Sequence, residues 1–365
     1  MKAASRLESI QALRGVAVLA VVISHAMHEI AALAAGHLRN FDEKWFPGDF
    51  GVDLFFVISG FVMVYVSRDA FGRPGAAIDY LRRRIVRIVP LYWVMTTLMI
   101  VVVVLLPDSV DTATADPRQW LASYFFIPFQ RASDGLIRPV LGLGWSLQYE
   151  MLFYGLFALG LFLPRRQAIP VVALMLFAAW FVGAHSPGSG VAAKFLGHPI
   201  IFEFAAGMGL GWLFVAGARM PSVLCLASAV AGAVLLFAAP PFDGTVDMSR
   251  HIHYGIPATL IVAAAVFFPG VEQFRSGRLA LEAGETSYAT YLSHPFVLGG
   301  LSLVTSRLGI VAAMDPQSFL YAYLVVACIA CLAAGYVTHY LIDVPLTRRV
   351  RVWLSASPRP AGAQP

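Results

Sequence analysis

Apolar residues in this chain come in long runs, not in the narrow stripes of a soluble helix or the alternation of a half-buried strand. A helix needs ~20 mostly apolar residues to cross a hydrocarbon core. Ten runs approach or reach that length, near 9–29, 50–67, 86–106, 142–163, 168–185, 199–216, 221–240, 252–269, 286–306 and 319–341. They predict an all-α, polytopic transmembrane bundle of about ten helices. The longest connection, 107–141, contains Trp120 to Phe129 (WLASYFFIPF). That piece is too short to cross and reads as interfacial or re-entrant. No internal repeat and no separate soluble domain is visible.

Composition sharpens the picture. Hydrophobic residues make up 59% of the 365 residues and charged residues only 13%, against roughly 25% charge in a soluble domain. Lipid is the solvent that suits such a chain. Basic residues gather between the apolar runs, which is a topology signal and not a nucleic-acid footprint. With the N-terminus inside, 17 of the 26 Lys and Arg fall on the inner side, among them Arg68, Arg82, Arg83, Arg84, Arg87, Arg165, Arg166, Arg275, Arg348 and Arg359. That bias predicts both termini inside. A transmembrane domain over 1–350 is expected, with a disordered cytoplasmic tail at 351–365. Lys2, Arg6 and Ala32-Leu33-Ala34 also resemble a cleavable leader, but Arg14 and His25 sit awkwardly in a leader's apolar core. Cys225, Cys328 and Cys331 all lie in apolar runs and read as packing residues, including the C-x-x-C pair.

Polar residues inside the runs carry the candidate chemistry, because an intramembrane ionisable group is costly and normally paired or facing water. Arg14 and His25 are eleven residues apart on the first run. Eleven steps of ~100° return to one face with a rise of ~16 Å. The plain alternative for Arg14 is snorkelling to the inner interface. Asp53 opens the second run and is expected at His25's depth, where a carboxylate could orient an imidazole; helix capping is the alternative. Arg84 and Arg87 share a face at i, i+3. They are expected at a helix N-terminus, where guanidinium forks and the dipole suit phosphate, although positive-inside topology alone also explains basic runs. Trp145-Ser146-Leu147-Gln148-Tyr149-Glu150 opens the fourth run, with Glu150 expected in the outer half. Glu203, with Gly207 one turn on, lies in the sixth run. Ser287 to Pro295 (SYATYLSHP) places His294 mid-membrane, and Asp343-Val344-Pro345 closes the tenth run.

In order, Gln11 to His25, Gly51 to Phe61, Arg83 to Pro90, Trp145 to Glu150 and Ser287 to Pro295 resemble the membrane-bound acyltransferase family 3, over about residues 7–350. Within it the compact form looks most like exopolysaccharide acetyltransferases. The resemblance implies that His25 is the catalytic histidine and Arg14 its partner in an Arg-x10-His motif. It implies that Arg84 and Arg87 form the Arg-x2-Arg pair associated with the acyl donor, and that Glu150 is the carboxylate of the Trp-Ser-Leu stretch. Two departures stand out. The family's Glu-x-Pro appears as Asp343-Val344-Pro345, and the hydrolase-like domain that some members carry has no counterpart here.

The expectation that follows is an O-acyltransferase of a bacterial-type inner membrane. It would move an acyl group, acetyl by family habit, from cytoplasmic acyl-CoA to a hydroxyl of an exported or lipid-linked glycan, among membrane lipid and polysaccharide-assembly machinery. His25, Arg14, Asp53 and Glu150 are the expected catalytic set. Arg84 and Arg87 would hold the donor, and Trp145, Ser146, Glu203 and His294 the acceptor. Acyl-CoA would come and go as a substrate, with no permanently bound cofactor, no metal and no nucleic-acid partner. A different class remains open, a transporter of a glycan or small anion using Arg14, Glu150 and Glu203 as a relay.

Overall fold

The computed structural model describes residues 2–34, 42–43, 45–106, 115–186, 190–238, 248–269 and 277–356, with the side chains of 2–7 and 355–356 set aside. Arg275, Arg359 and most of the expected disordered tail lie outside the described residues. Among the described residues the fold is helical, with one isolated antiparallel bridge between Gln130 and Ile137.

In chain order the helices begin with α1 (Lys2–Leu33), α2 (Phe50–Val66), α3 (Ala76–Leu105), α4 (Pro117–Tyr124) and α5 (Trp145–Gly160). There follow α6 (Arg165–His185), α7 (Val191–Leu196), α8 (Ile201–Val215) and α9 (Ser222–Ala238). Next come α10 (Met248–Arg250), a π turn (His251–Gly255), α11 (Ile256–Phe267) and α12 (Arg278–Glu285). The chain closes with α13 (Ser287–Arg307), α14 (Ile310–Ala313), α15 (Pro316–Thr338), a second π turn (His339–Asp343) and α16 (Val344–Ala356). Each of the ten apolar runs lies on a helix. Five helical stretches are long and apolar enough to cross a membrane: Glu8–Leu33, Ala76–Leu105, Arg165–His185, Val191–Val215 and Pro316–Leu354. Phe50–Val66 and Ser222–Ala238 are shorter apolar helices.

α1 forms the centre because it offers small or branched residues on several sides. It packs against α2, α12, α13 and α15, and Ala17, Val18, Val21, Val22, Ala26 and Ile30 are all fully covered. α2 and α8 run together along their length. Their contact is backbone on backbone: a Cβ on Gly60 would strike the Phe204 carbonyl, and one on Gly207 would strike the Val57 carbonyl. Small residues permit this approach, which dispersion and not water expulsion rewards inside lipid.

Three expectations shift. α3 starts at Ala76, with Asp79 in its first turn, so Arg84 and Arg87 sit more than a turn beyond the helix N-terminus. The dipole fades within that first turn, and the pair must act through its own charge. α5 begins only at Trp145, after a tight turn over Gly142–Gly144. The Gln148 side chain donates to the Ile127 carbonyl at 3.0 Å, so the 126–141 segment packs against the start of α5, and Glu150, more than a turn on, faces inward. The helix at the C-terminal end continues to Ala356, past the expected start of the tail at 351. In the long connection, α4 is a two-turn helix capped by Asp116, whose carboxylate accepts from the Arg118 N–H at 2.8 Å.

Candidate active site

α1 presents Arg14 to one cavity and His25 to another. The first cavity, about 360 Å3, is lined by Arg14, Ser59, Arg84, Arg87, Ser146, Glu150, Tyr154, Tyr288 and Tyr291 among apolar residues of α2, α3 and α5. Glu150 is its carboxylate. It accepts from Ser59 Oγ at 3.4 Å and from the Tyr154 hydroxyl. Arg84 lies over the Tyr80 ring at 5.7 Å and the Tyr154 ring at 5.9 Å, and its Nε has no hydrogen-bond partner among the described residues. Arg87 donates to Asp343 Oδ2 at 3.0 Å and lies 5.5 Å above the Tyr288 ring. Asp343 is held in turn by His339 Nδ1 at 3.0 Å and by Thr347 Oγ1 at 3.3 Å. The π turn at His339–Asp343 brings Asp343 onto Arg87 and His339 onto Asp343. The result is a pocket with three guanidiniums against one carboxylate, walled by aromatic rings. Such a pocket suits an anionic group on a slender apolar body.

The second cavity is larger, about 930 Å3, and is lined by His25, Asp49, Arg138, Trp145, Tyr149, Lys194, His198, Arg250 and Tyr254, among others. His25 is exposed to it. Its Nδ1 lies 2.9 Å from the Val21 carbonyl. A carbonyl only accepts, so Nδ1 carries the proton in the neutral ring and Nε2 is left as the base. His294 stands edge-on to His25, with ring centroids 5.0 Å apart. Its Nδ1 faces the Thr290 carbonyl at 3.3 Å, and its buried Nε2 has no partner among the described residues.

The two cavities meet at adjacent residues. Trp145 lines the larger and Ser146 the smaller. Ser146 Oγ and the Tyr291 hydroxyl are 2.9 Å apart, and both reach the Leu143 carbonyl, at 3.1 and 3.0 Å. The Tyr291 ring is 5.9 Å from His294. A thin partition of Ser146, Tyr291 and His294 therefore separates the guanidinium pocket from His25.

The structure brings Arg14, Arg84, Arg87, Glu150 and Ser146 together, and separately His25, His294 and Trp145. Asp53 and Glu203 join neither group. Asp53 accepts from Arg250 Nη2 at 2.7 Å and is fully buried. The carboxylate expected to orient His25 therefore anchors an arginine instead, and the Val21 carbonyl does the orienting. Glu203, also fully buried, lies 3.8 Å from His251 Nδ1 and against the Gly255 backbone. Glu150 belongs with the Arg14 end, not with His25. Sequence reasoning passed over Arg250, Arg138, Lys194, Tyr154 and Tyr291. Arg250 looks like an ordinary loop cation, and its partner lies 197 positions away.

An acyltransferase-domain family model matches residues 7–339, and the chain belongs to acyltransferase family 3, as a membrane acyltransferase. Among its relatives is the exopolysaccharide production protein ExoZ of Rhizobium meliloti (strain 1021), 32% identical over 310 residues that cover 83% of this chain and 91% of ExoZ. Acyltransferase MdmB of Streptomyces mycarofaciens is 28% identical over 400 aligned positions, covering 98% of this chain and 96% of MdmB. No solved structure matches the chain.

Proposed function

We propose that this protein is a multi-pass inner-membrane O-acyltransferase that moves an acyl group, acetyl in the first instance, from cytoplasmic acyl-CoA to a hydroxyl of an exported glycan. The observation that carries the reading is the pair of cavities at opposite ends of α1, one lined by guanidiniums and the other by an imidazole with a defined base nitrogen. Arg84 and Arg87 hold donor phosphates on the inner side, a depth that the basic bias of the chain supports. The pantetheine arm then runs past Arg14 and Glu150 toward the Ser146 partition. The ~16 Å rise between Arg14 and His25 is of that arm's scale.

At the partition His25 Nε2 takes the proton of the acceptor hydroxyl. The hydroxyl oxygen attacks the thioester carbonyl, the carbon–sulfur bond breaks, and the departing thiolate takes the proton back from His25. His294 packs the imidazole from the side, and Trp145 offers the acceptor an aromatic face. The relative ExoZ is an exopolysaccharide production protein, which favours a glycan acceptor here also.

Proteoliposomes holding the protein in one orientation test the reading. Acyl-CoA should be consumed only when supplied on the Arg84 face, and a membrane-impermeant glycan should be acylated only on the His25 face. Acylation of an impermeant acceptor supplied with acyl-CoA on the Arg84 face alone would overturn the two-sided mechanism. Transport of glycan without acyl-CoA consumption would replace it with the transporter class.

A further inference from the structure

Attack on a thioester develops negative charge on its carbonyl oxygen, and a preformed hydrogen-bond donor aimed at that oxygen lowers the barrier. The hydroxyls of Ser146 and Tyr291 stand where such a donor is needed. Both residues line the guanidinium pocket, while Trp145, next to Ser146, lines the His25 cavity. The Tyr291 ring is 5.9 Å from His294, whose ring is in turn 5.0 Å from His25. α5 begins at Trp145, so the positive end of its dipole adds to the same spot.

A count of protons shows that one of the two hydroxyls is spare. Ser146 Oγ and the Tyr291 hydroxyl are 2.9 Å apart, and each reaches the Leu143 carbonyl, at 3.1 and 3.0 Å. The Tyr291 proton alone satisfies that carbonyl. The Ser146 proton then makes only a second bond to an oxygen already served, and can turn to a stronger acceptor without orphaning a buried group. We infer that Ser146 is the oxyanion donor of the transfer, and that Tyr291 frees it by holding the Leu143 carbonyl. The inference rests on the proposed function, which brings the acyl carbonyl to the partition. As the acceptor oxygen bonds to the carbonyl carbon, the C=O π electrons move onto the carbonyl oxygen. The Ser146 hydroxyl hydrogen-bonds that oxygen and keeps its own proton. Collapse re-forms the C=O bond and expels the thiolate, which takes its proton from His25.

The donor contact can be read without turnover. The probe is an unreactive ketone analogue of acetyl-CoA, with a methylene in place of the thioester sulfur and an isotope label at the ketone carbon. Bound to the full-length protein in nanodiscs, its carbonyl stretch should lie lower in the wild type than in Ser146→Ala, because a donor weakens the C=O bond. Calorimetry should give the two proteins affinities for the analogue within about tenfold of each other. The kcat of Ser146→Ala should fall on the order of 10²–10³-fold, the scale of one lost oxyanion donor. In Tyr291→Phe it should fall only several-fold, since Ser146 must then leave the Leu143 carbonyl to serve. An identical stretch in the wild type and Ser146→Ala, or a kcat in that variant within about tenfold of the wild type, would overturn the inference. If Ser146→Ala binds no analogue, Tyr291→Phe carries the test, and a wild-type stretch with a wild-type kcat there overturns it. Acyl transfer from acetyl-CoA to a glycan by the wild type is a separate reading. Transfer with an unshifted stretch leaves the proposed function and removes this inference. A shifted stretch without transfer removes the glycan acceptor and leaves Ser146 as donor, and a wild type that binds no analogue removes both.

Discussion

The two ends of α1 face different kinds of space. Around Arg14 the wall is aromatic and the polar groups are mainly guanidiniums, with Arg84 resting on aromatic rings and Arg87 on a carboxylate, in about 360 Å3. Around His25 the space is more than twice as large, and the polar groups are imidazoles, three cations and two acids. A grip on an anion needs fixed positive charge, and fixed charge is a poor proton carrier. A proton carrier must be able to lose its charge, and so makes a poor grip. α1 carries Arg14 and His25 on one rigid helix, which keeps the two cavities in register across a thin partition.

This division of labour makes the largest prediction. His25→Gln should lower acyl transfer on the order of 10²–10⁴-fold, while acyl-CoA affinity, measured by calorimetry, stays at the wild-type value. A variant that instead loses donor affinity would break the comparison.

Second in size is a stability effect at the ion pair that anchors Arg250 in the wall of the larger cavity. Asp53→Leu leaves Arg250 buried without its carboxylate and should cost about 3–5 kcal/mol, seen as a fall in melting temperature in detergent. The Asp53→Leu/Arg250→Met double variant should recover most of it. An unchanged melting temperature in the single variant would show that the pair is not structural.

Arg84→Ala and Arg87→Ala probe the gripping end. Each should weaken acyl-CoA binding by about 1.5–3 kcal/mol, and kcat at saturating donor should change far less than the dissociation constant. The opposite split would move these residues to the chemical step. Smallest is Tyr291→Phe, which removes a hydroxyl from the partition at a cost of about 0.5–1.5 kcal/mol. Its expected signature is acyl-CoA hydrolysis in the absence of acceptor, monitored by free thiol release; a rate that stays at background would mean the partition seals without that hydroxyl.

The helices were readable because lipid imposes a length and an apolar composition that no other constraint imitates. The shared face of Arg14 and His25 was readable because both lie on one helix, where period and rise convert spacing into geometry. Asp53 was misassigned for the converse reason: its partner Arg250 stands on another helix, and no local pattern joins residues 197 positions apart. Glu150 was placed too near His25 because helix starts are uncertain by a few residues, and a turn of error at Trp145 changes which cavity a side chain meets. The π turns at His251–Gly255 and His339–Asp343 were invisible, since their extra residue per turn leaves no trace in hydropathy.

The separation of Asp53 from Arg250 also has a consequence for how the protein is made. At ~5–20 residues per second, roughly ten to forty seconds pass between synthesis of the carboxylate and synthesis of its guanidinium. During that interval α2 carries a lone acid in its first turn, at a cost below the ~2.5–3.5 kcal/mol that insertion scales give an acid at a helix centre. The rest of α2, an otherwise uncharged FGVDLFFVISGFVMVYV, is apolar enough to outweigh it. Assembly around α2 therefore waits for α8 and α10, and the Asp53–Arg250 contact is followed by a still later one, Arg87–Asp343, that must wait for the second π turn.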